Sequence, residues 1–229
     1  MKREVQPELL DTLSPTDPLA IGSRRDLRRV NGWMGNHRIL RRALELHLPA
    51  EKPGWLLEIG AGDGDFFRRV AAGFTPPWPG RQVRLLDRQA VFSADTLAAL
   101  AKLGWQAVPL AADVFEYPLI QEPVAAVMAN LFLHHFEEDA LARLLAKISR
   151  QTSLFIAVEP HRFAWPAACG QLLRLIGCNA VTLHDAVVSI RAGFLGREIS
   201  ALWPEPAGWR LTERRAGFFS HLFVAQRIR

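Results

Sequence analysis

Leu56-Leu57-Glu58-Ile59-Gly60-Ala61-Gly62-Asp63-Gly64 is the stretch on which the reading of this chain turns. A short apolar run, Trp55 to Ile59, stops at three glycines in alternate positions, and Asp65 to Val70 then opens a helix. Glycine lets a backbone turn tightly and approach a ligand, and the first N–H groups of a helix have no partner within the helix. The unit is therefore strand, turn and helix, with the turn shaped for a ligand. A dinucleotide fingerprint, G-x-G-x-x-G, counted from Gly60 and Gly62 needs glycine at 65, but Asp65 is there and the third glycine falls at 64. Glu58, Asp63 and Asp65 also make the turn a poor seat for a pyrophosphate and a better one for a cation.

The same rhythm continues downstream. Val83 to Leu86 closes at Asp87, Ala107 to Leu110 stops shortly before Asp113, Val124 to Ala129 closes at Asn130, and Leu154 to Val158 closes at Glu159. Short apolar runs of this kind are expected of strands buried on both faces of a parallel sheet. Between them lie helical patterns, the clearest being Glu137 to Arg150, where Leu141, Leu144, Leu145 and Ile148 share one face. After residue 160, Phe163 to Ile176 and Asp185 to Leu202 read as helices, and Trp209 to Glu213 with Phe218 to Gln226 as an antiparallel hairpin. Upstream, residues 1–23 hold Pro7, Pro15, Pro18 and Gly22 without sustained periodicity and read as an irregular arm. Leu27, Val30 and Met34 then share a helical face, and Asn36 begins a second helix ended by Pro49. The expected organisation is an arm and helical lid over 1–52 and one α/β domain over 53–229.

With 229 residues, 49% of them hydrophobic and 22% charged, the chain is neither disordered nor fibrous as a whole. No apolar run reaches the roughly 18 residues of a membrane span, and the first residues lack the apolar core of a signal peptide, so a cytoplasmic location is expected. Cys169 and Cys178 have no metal-binding or disulfide spacing, so packing is their expected role and no metal site is assigned. The formal charge of +5 is uneven: Arg24, Arg25, Arg28, Arg29, Arg38, Arg41 and Arg42 face only Asp26 within residues 24–42, a local net of +6. Such a segment attracts nucleic acid, an acidic carrier protein, small anions or a membrane surface, unless it is simply a solvated helix face.

Three carboxylates stand in order at successive strand ends. Glu58 precedes the glycine turn, Asp87 can accept both hydroxyls of a ribose, and Asp113 beside the small Ala112 suits an adenine edge. Over residues 53–160, and more loosely to 229, this E-x-G-x-G-x-G turn with its two following acids resembles the class I S-adenosylmethionine-dependent methyltransferases. The resemblance implies a Rossmann-like, seven-stranded, mostly parallel sheet with a C-terminal antiparallel hairpin, here carrying an N-terminal helical addition. It implies S-adenosylmethionine as cofactor and S-adenosylhomocysteine as product. Glu58, Gly60, Ala61, Gly62 and Asp63 would surround the methionine and ribose part, Asp87 the ribose, Ala112 and Asp113 the adenine, and Asn130 the methionine amine.

Methyl transfer from a sulfonium needs alignment first, and a base only when the acceptor must lose a proton. His135 and His134, just past the fourth strand, are the first candidates for that base, and His161 after the fifth is the next. Trp33, His184 and Arg191 are candidate acceptor-binding residues. Trp33, Trp165, Phe163 and Phe194 suggest an apolar or aromatic acceptor. The leading expectation is O-methylation of a small aromatic or polyketide-like molecule of bacterial secondary metabolism. The alternatives are an RNA methyltransferase using the arginines of 24–42, or a cofactor-binding subunit without activity. Asn130-Leu131-Phe132-Leu133 is not the N-P-P-Y type sequence of amino-directed base methylation, and neither cysteine stands at a strand end.

Overall fold

The computed structural model describes residues 2–48, 54–75, 78, 81–89, 91–118, 124–163 and 166–228, with the backbone alone over 166–170. Its strands are β1 Trp55–Ile59, β2 Gln82–Asp87, β3 Gln106–Ala111, β4 Val124–Asn130, β5 Leu154–Pro160, β6 Trp209–Ala216 and β7 Ser220–Arg227. They form one seven-stranded sheet in the order β3-β2-β1-β4-β5-β7-β6. β1 to β5 pair in parallel, while β7 runs antiparallel to both β5 and β6. The order reverses between β1 and β4, and the crevice outside the carboxyl ends of strands at such a reversal is where open α/β sheets bind ligands.

Every residue of β1, β4 and β5 is buried, as apolar runs in the middle of a parallel sheet require. β3 departs from the expected burial because it is the edge: it is exposed or half-buried throughout and tolerates Pro109 opposite Leu85. The sheet separates two cores. Leu44, Phe67, Val70 and Ile156 belong to one, and Leu57, Leu141, Leu145, Phe155 and Phe223 to the other. Helices α4 Asp65–Ala71 and α5 Ala94–Lys102 follow β1 and β2, and α6 Glu138–Ser149 follows β4.

The amino-terminal region differs from its sequence reading in two respects. Arm residues 1–23 are not irregular throughout: α1 covers Leu9–Thr12, and α2 runs from Pro18 to Met34. Asp17 caps α2, its carboxylate accepting the Leu19 N–H at 2.7 Å. An Asp-Pro pair at the cap and first helical position is a start signal that the other prolines of the arm obscure. The next helix, α3 Asn36–His47, is part of the packed body and not of a lid, because Leu40, Ala43 and Leu44 join the first core. Beyond β5 come α7 Pro166–Leu175, α8 Ala180–Ala192 and α9 Glu198–Leu202. The single helix expected over 185–202 is split at Gly193, where a Cβ would lie 2.4 Å from the Pro160 carbonyl oxygen. Among the described residues no helix is long and apolar enough to cross a membrane.

Candidate functional site

The glycine turn meets the ends of β2 and β4. Gly60, Gly62 and Gly64 have φ of 69°, 56° and 80°, all left-handed, and a Cβ on Gly60 would lie 2.2 Å from the Phe132 ring. Asp87 fixes the turn by accepting the Gly62 N–H at 2.8 Å with one oxygen and the Gln89 N–H at 2.8 Å with the other. The Asp113 carboxylate accepts the Phe115 N–H at 2.7 Å. Asn130 is braced at its side-chain oxygen by Asn36 Nδ2 at 2.9 Å, and Asn36 in turn accepts from the Ser220 hydroxyl. A cavity of about 760 Å³ opens here, within the size range of small-molecule sites. All nine expected cofactor residues, Glu58, Gly60, Ala61, Gly62, Asp63, Asp87, Ala112, Asp113 and Asn130, line it.

Glu58 is only 2% exposed, and its Oε2 has no hydrogen-bond partner among the described residues. Burial, and then the negative charges of Asp87 and Asp63, push its carboxyl well above the usual carboxylate range. A buried acceptor without a donor is costly, and one that borders a cavity is positioned for a ligand.

The loop after β4 forms the opposite wall. Glu159, fully buried at the end of β5, accepts the N–H groups of Phe132, Leu133 and His134 at 3.0, 2.9 and 3.3 Å and the His134 ring nitrogen Nδ1 at 2.9 Å. Leu131 opens the loop at a left-handed φ of 50°. The second His134 nitrogen, Nε2, lies 3.3 Å from Glu8 Oε1 of the arm, which also accepts the Ser189 hydroxyl. Burial lowers the His134 pKa, but hydrogen bonds to Glu159 and Glu8 override it and raise it to about 9. Burial opposes ionisation of Glu8 as well, and its bond to His134 with the charges of both histidines holds it at about 2.

His135 lines the cavity with its Nδ1 3.3 Å from Asp11 Oδ2. Glu8, His134 and His135 bring ligand-type atoms within 4.8 Å of one another. Both His134 ring nitrogens already have carboxylate partners, Nδ1 in Glu159 and Nε2 in Glu8. The arm is also held by Arg3, which donates to the carbonyls of Ala192, His134 and Phe136. Asp185 accepts the Leu9 and Leu10 N–H groups at 2.8 and 3.0 Å. From α2, Arg24 and Arg28 face the cavity, Arg28 bonding Asp63 at 2.6 Å.

The other sequence candidates lie elsewhere. His161 stands at the end of β5 with its ring 5.9 Å from that of His221, outside the cavity lining. His184 bonds Asp185 at 2.9 Å behind the arm, and Arg191 is exposed and offers its carbonyl to Glu4. None of His184, Arg191 and Trp33 lines the cavity. Trp33 faces outward from α2, Phe194 is buried in the second core, and Trp165 lies outside the described residues. Cys178 is a buried free thiol, and the Cys169 side chain lies outside the described residues. Glu8 and Asp11 escape sequence reasoning, because only tertiary contacts bring them to this cavity.

No family model matches the chain, and no curated protein matches it. Solved structures do. Plantazolicin methyltransferase BpumL, in complex with SAH, superposes with a TM-score of 0.63 at 11% identity, over 93% of this chain and 92% of that one. This is the class I methyltransferase fold. The same methyltransferase fold is shared with magnesium protoporphyrin IX methyltransferase ChlM from Synechocystis PCC 6803, with bound SAH, at a TM-score of 0.54 and 11% identity over 96% of this chain and 91% of that one. Mitomycin 7-O-methyltransferase MmcR superposes with a TM-score of 0.58 and 19% identity over 95% of this chain, which spans 60% of the mitomycin enzyme.

Proposed function

We propose that this protein is an S-adenosylmethionine-dependent methyltransferase that methylates oxygen on a small aromatic or polyketide-like acceptor and releases S-adenosylhomocysteine. The observation that carries the reading is the buried Glu58 oxygen without a partner at the wall of the cavity. With Asp87 beside it, it makes a seat for a positively charged ligand of the kind this cofactor is. Glu58, Gly60, Ala61, Gly62, Asp63 and Asn130 would hold the methionine part, Asp87 the ribose, and Ala112 with Asp113 the adenine. Structures of this fold bound to SAH support S-adenosylmethionine as the cofactor. The bound cofactor supplies a methyl group already activated for displacement.

The chain's own residues align the acceptor and take its proton. Leu10, Leu27, Phe132 and Phe136 give the remaining cavity an apolar wall suited to an aromatic ring. Holding nucleophile and methyl group in line is worth on the order of 7–11 kcal/mol. His135 accepts the proton of the acceptor hydroxyl, and Asp11 holds its ring at Nδ1. His135 is favoured over His134 for this role because both His134 ring nitrogens are engaged, Nδ1 with Glu159 and Nε2 with Glu8. RNA methylation has less support, because the arginine segment does not form one face: Arg24 and Arg28 line the cavity, and Arg41 donates to the Gly73 carbonyl.

The test is to incubate the protein with methyl-labelled S-adenosylmethionine and cell extract, then count label separately in organic-soluble metabolites, RNA and protein. Label in the organic fraction is the expected result. Label confined to RNA or protein, or cofactor bound without transfer to any fraction, overturns it.

A further inference from the structure

The outer side of α2 carries an exposed stripe at intervals of four: Ile21, Arg25, Arg29 and Trp33. Residues four apart on a helix are surface neighbours, so these side chains form one continuous ridge. Trp33 is 66% exposed, which is unusual for so large an apolar side chain. Arg29 Nη2 donates to the Ile176 carbonyl at 2.9 Å and so ties this ridge to the end of α7. The last turns of α7 expose Leu172, Arg174 and Leu175, the last of these 84% exposed. Acidic side chains are nearly absent from the two helices. Asp26, the only acid in α2, accepts the Asn179 N–H at 2.8 Å and pairs with Arg29 Nη1 at 3.3 Å, and α7 has no acid. Asp17, at the start of α2, is engaged with the Leu19 N–H.

We propose that this face docks on an anionic lipid bilayer, with Trp33, Leu172 and Leu175 entering the headgroup region and Arg25 and Arg174 lying against lipid phosphates. Charge complementarity and shape both favour that occupant. Basic side chains stand among tryptophan and leucine on α2 and on the last turns of α7, which Arg29 links through the Ile176 carbonyl, the composition of an interfacial membrane face. The apolar groups project from convex helices, so they suit a deformable interface better than the groove-into-ridge fit of a protein partner. Each basic side chain near an anionic bilayer raises partition about fivefold. The inner side of α2 supplies Arg24, Leu27, Arg28 and Asn31 to the cavity wall, so a docked α2 places the cavity beside the lipid in which an apolar acceptor dissolves.

Co-sedimentation of the full chain with vesicles tests this, using phosphatidylcholine alone and phosphatidylcholine mixed with phosphatidylglycerol. The expected result is at least tenfold stronger partition into the anionic vesicles, abolished near 1 M salt, where the screening length is about 3 Å. Leu175→Ser combined with Trp33→Ser should reduce the partition at least tenfold with the circular dichroism spectrum and cofactor affinity unchanged. Should that variant fail to fold, Arg25→Glu, a change at an exposed position, should lower the preference for anionic vesicles by itself. Equal binding to both vesicle types, no binding at low salt, or folded variants that bind as well as the parent would overturn the proposal. Capture of an acidic carrier protein without vesicle binding would also overturn it. None of these readouts needs methyl transfer, so they stand or fall separately from the proposed activity.

Discussion

Asp87 and His135 lie on the same cavity and should fail in different ways. Asp87 organises the glycine turn through the Gly62 and Gln89 N–H groups and offers its remaining lone pairs to a ligand. Hydrogen bonds to charged groups are worth about 1.5–3 kcal/mol, so Asp87→Ala should raise the S-adenosylmethionine Kd at least tenfold by calorimetry. His135→Ala should leave that Kd within about twofold and lower kcat by 10²- to 10⁴-fold, the range of a general base. A normal Kd in the first variant would remove the cofactor assignment, and a normal kcat in the second would remove the base. Asp87 is legible in the sequence because an acid closing a short apolar run must fall at the carboxyl end of a strand. Glu8 and Ser189 are not, because 181 residues separate them and nothing in spacing relates an arm to a late helix.

At the scale of elements, the arm is held over the cavity by charge. His134 has its pKa raised from the ordinary 6.5 to about 9, so its stabilisation is complete below about 6.5 and is lost as pH rises through about 9. Glu8 is lowered from 4.5 to about 2, so its contribution is complete above about 4.5 and is lost as pH falls toward about 2. Hydrogen-exchange protection factors across residues 3–12 should therefore fall as pH drops from about 4.5 toward about 2, where Glu8 protonates, and again as pH rises through about 9, where His134 loses its charge. Glu8→Gln should remove most of this pH dependence, and arm protection that ignores pH in the parent would show that the pair does not hold the arm. Sequence patterning identified the strands and α6, whose faces are set by burial. It missed the start of α2 and the body-bound role of α3, since one amphipathic face fits a lid or a core equally well.

For the molecule as a whole, the alternation of short apolar runs with helices gave the sheet, while the edge position of β3 depends on strand order, which no local pattern encodes. Phe155 lies at the centre of the second core, between Trp203 at 5.8 Å and Phe223 at 6.0 Å. Phe155→Ala should cost about 3–5 kcal/mol and lower Tm by roughly 6–20 °C in calorimetry, whereas a loss under about 1 kcal/mol would mean that this core is not continuous. The carboxyl of Glu58 has a consequence on the scale of the whole reaction cycle. An acid held well above its ordinary range favours the protonated form beside Asp63 and Asp87 and the ionised form beside a cation. Ligand uptake should then expel a proton, and the heat of binding should vary with the ionisation enthalpy of the buffer, a dependence that Glu58→Gln abolishes. Loss of the ligand's positive charge on transfer would draw the proton back, loosening the neutral product as it forms.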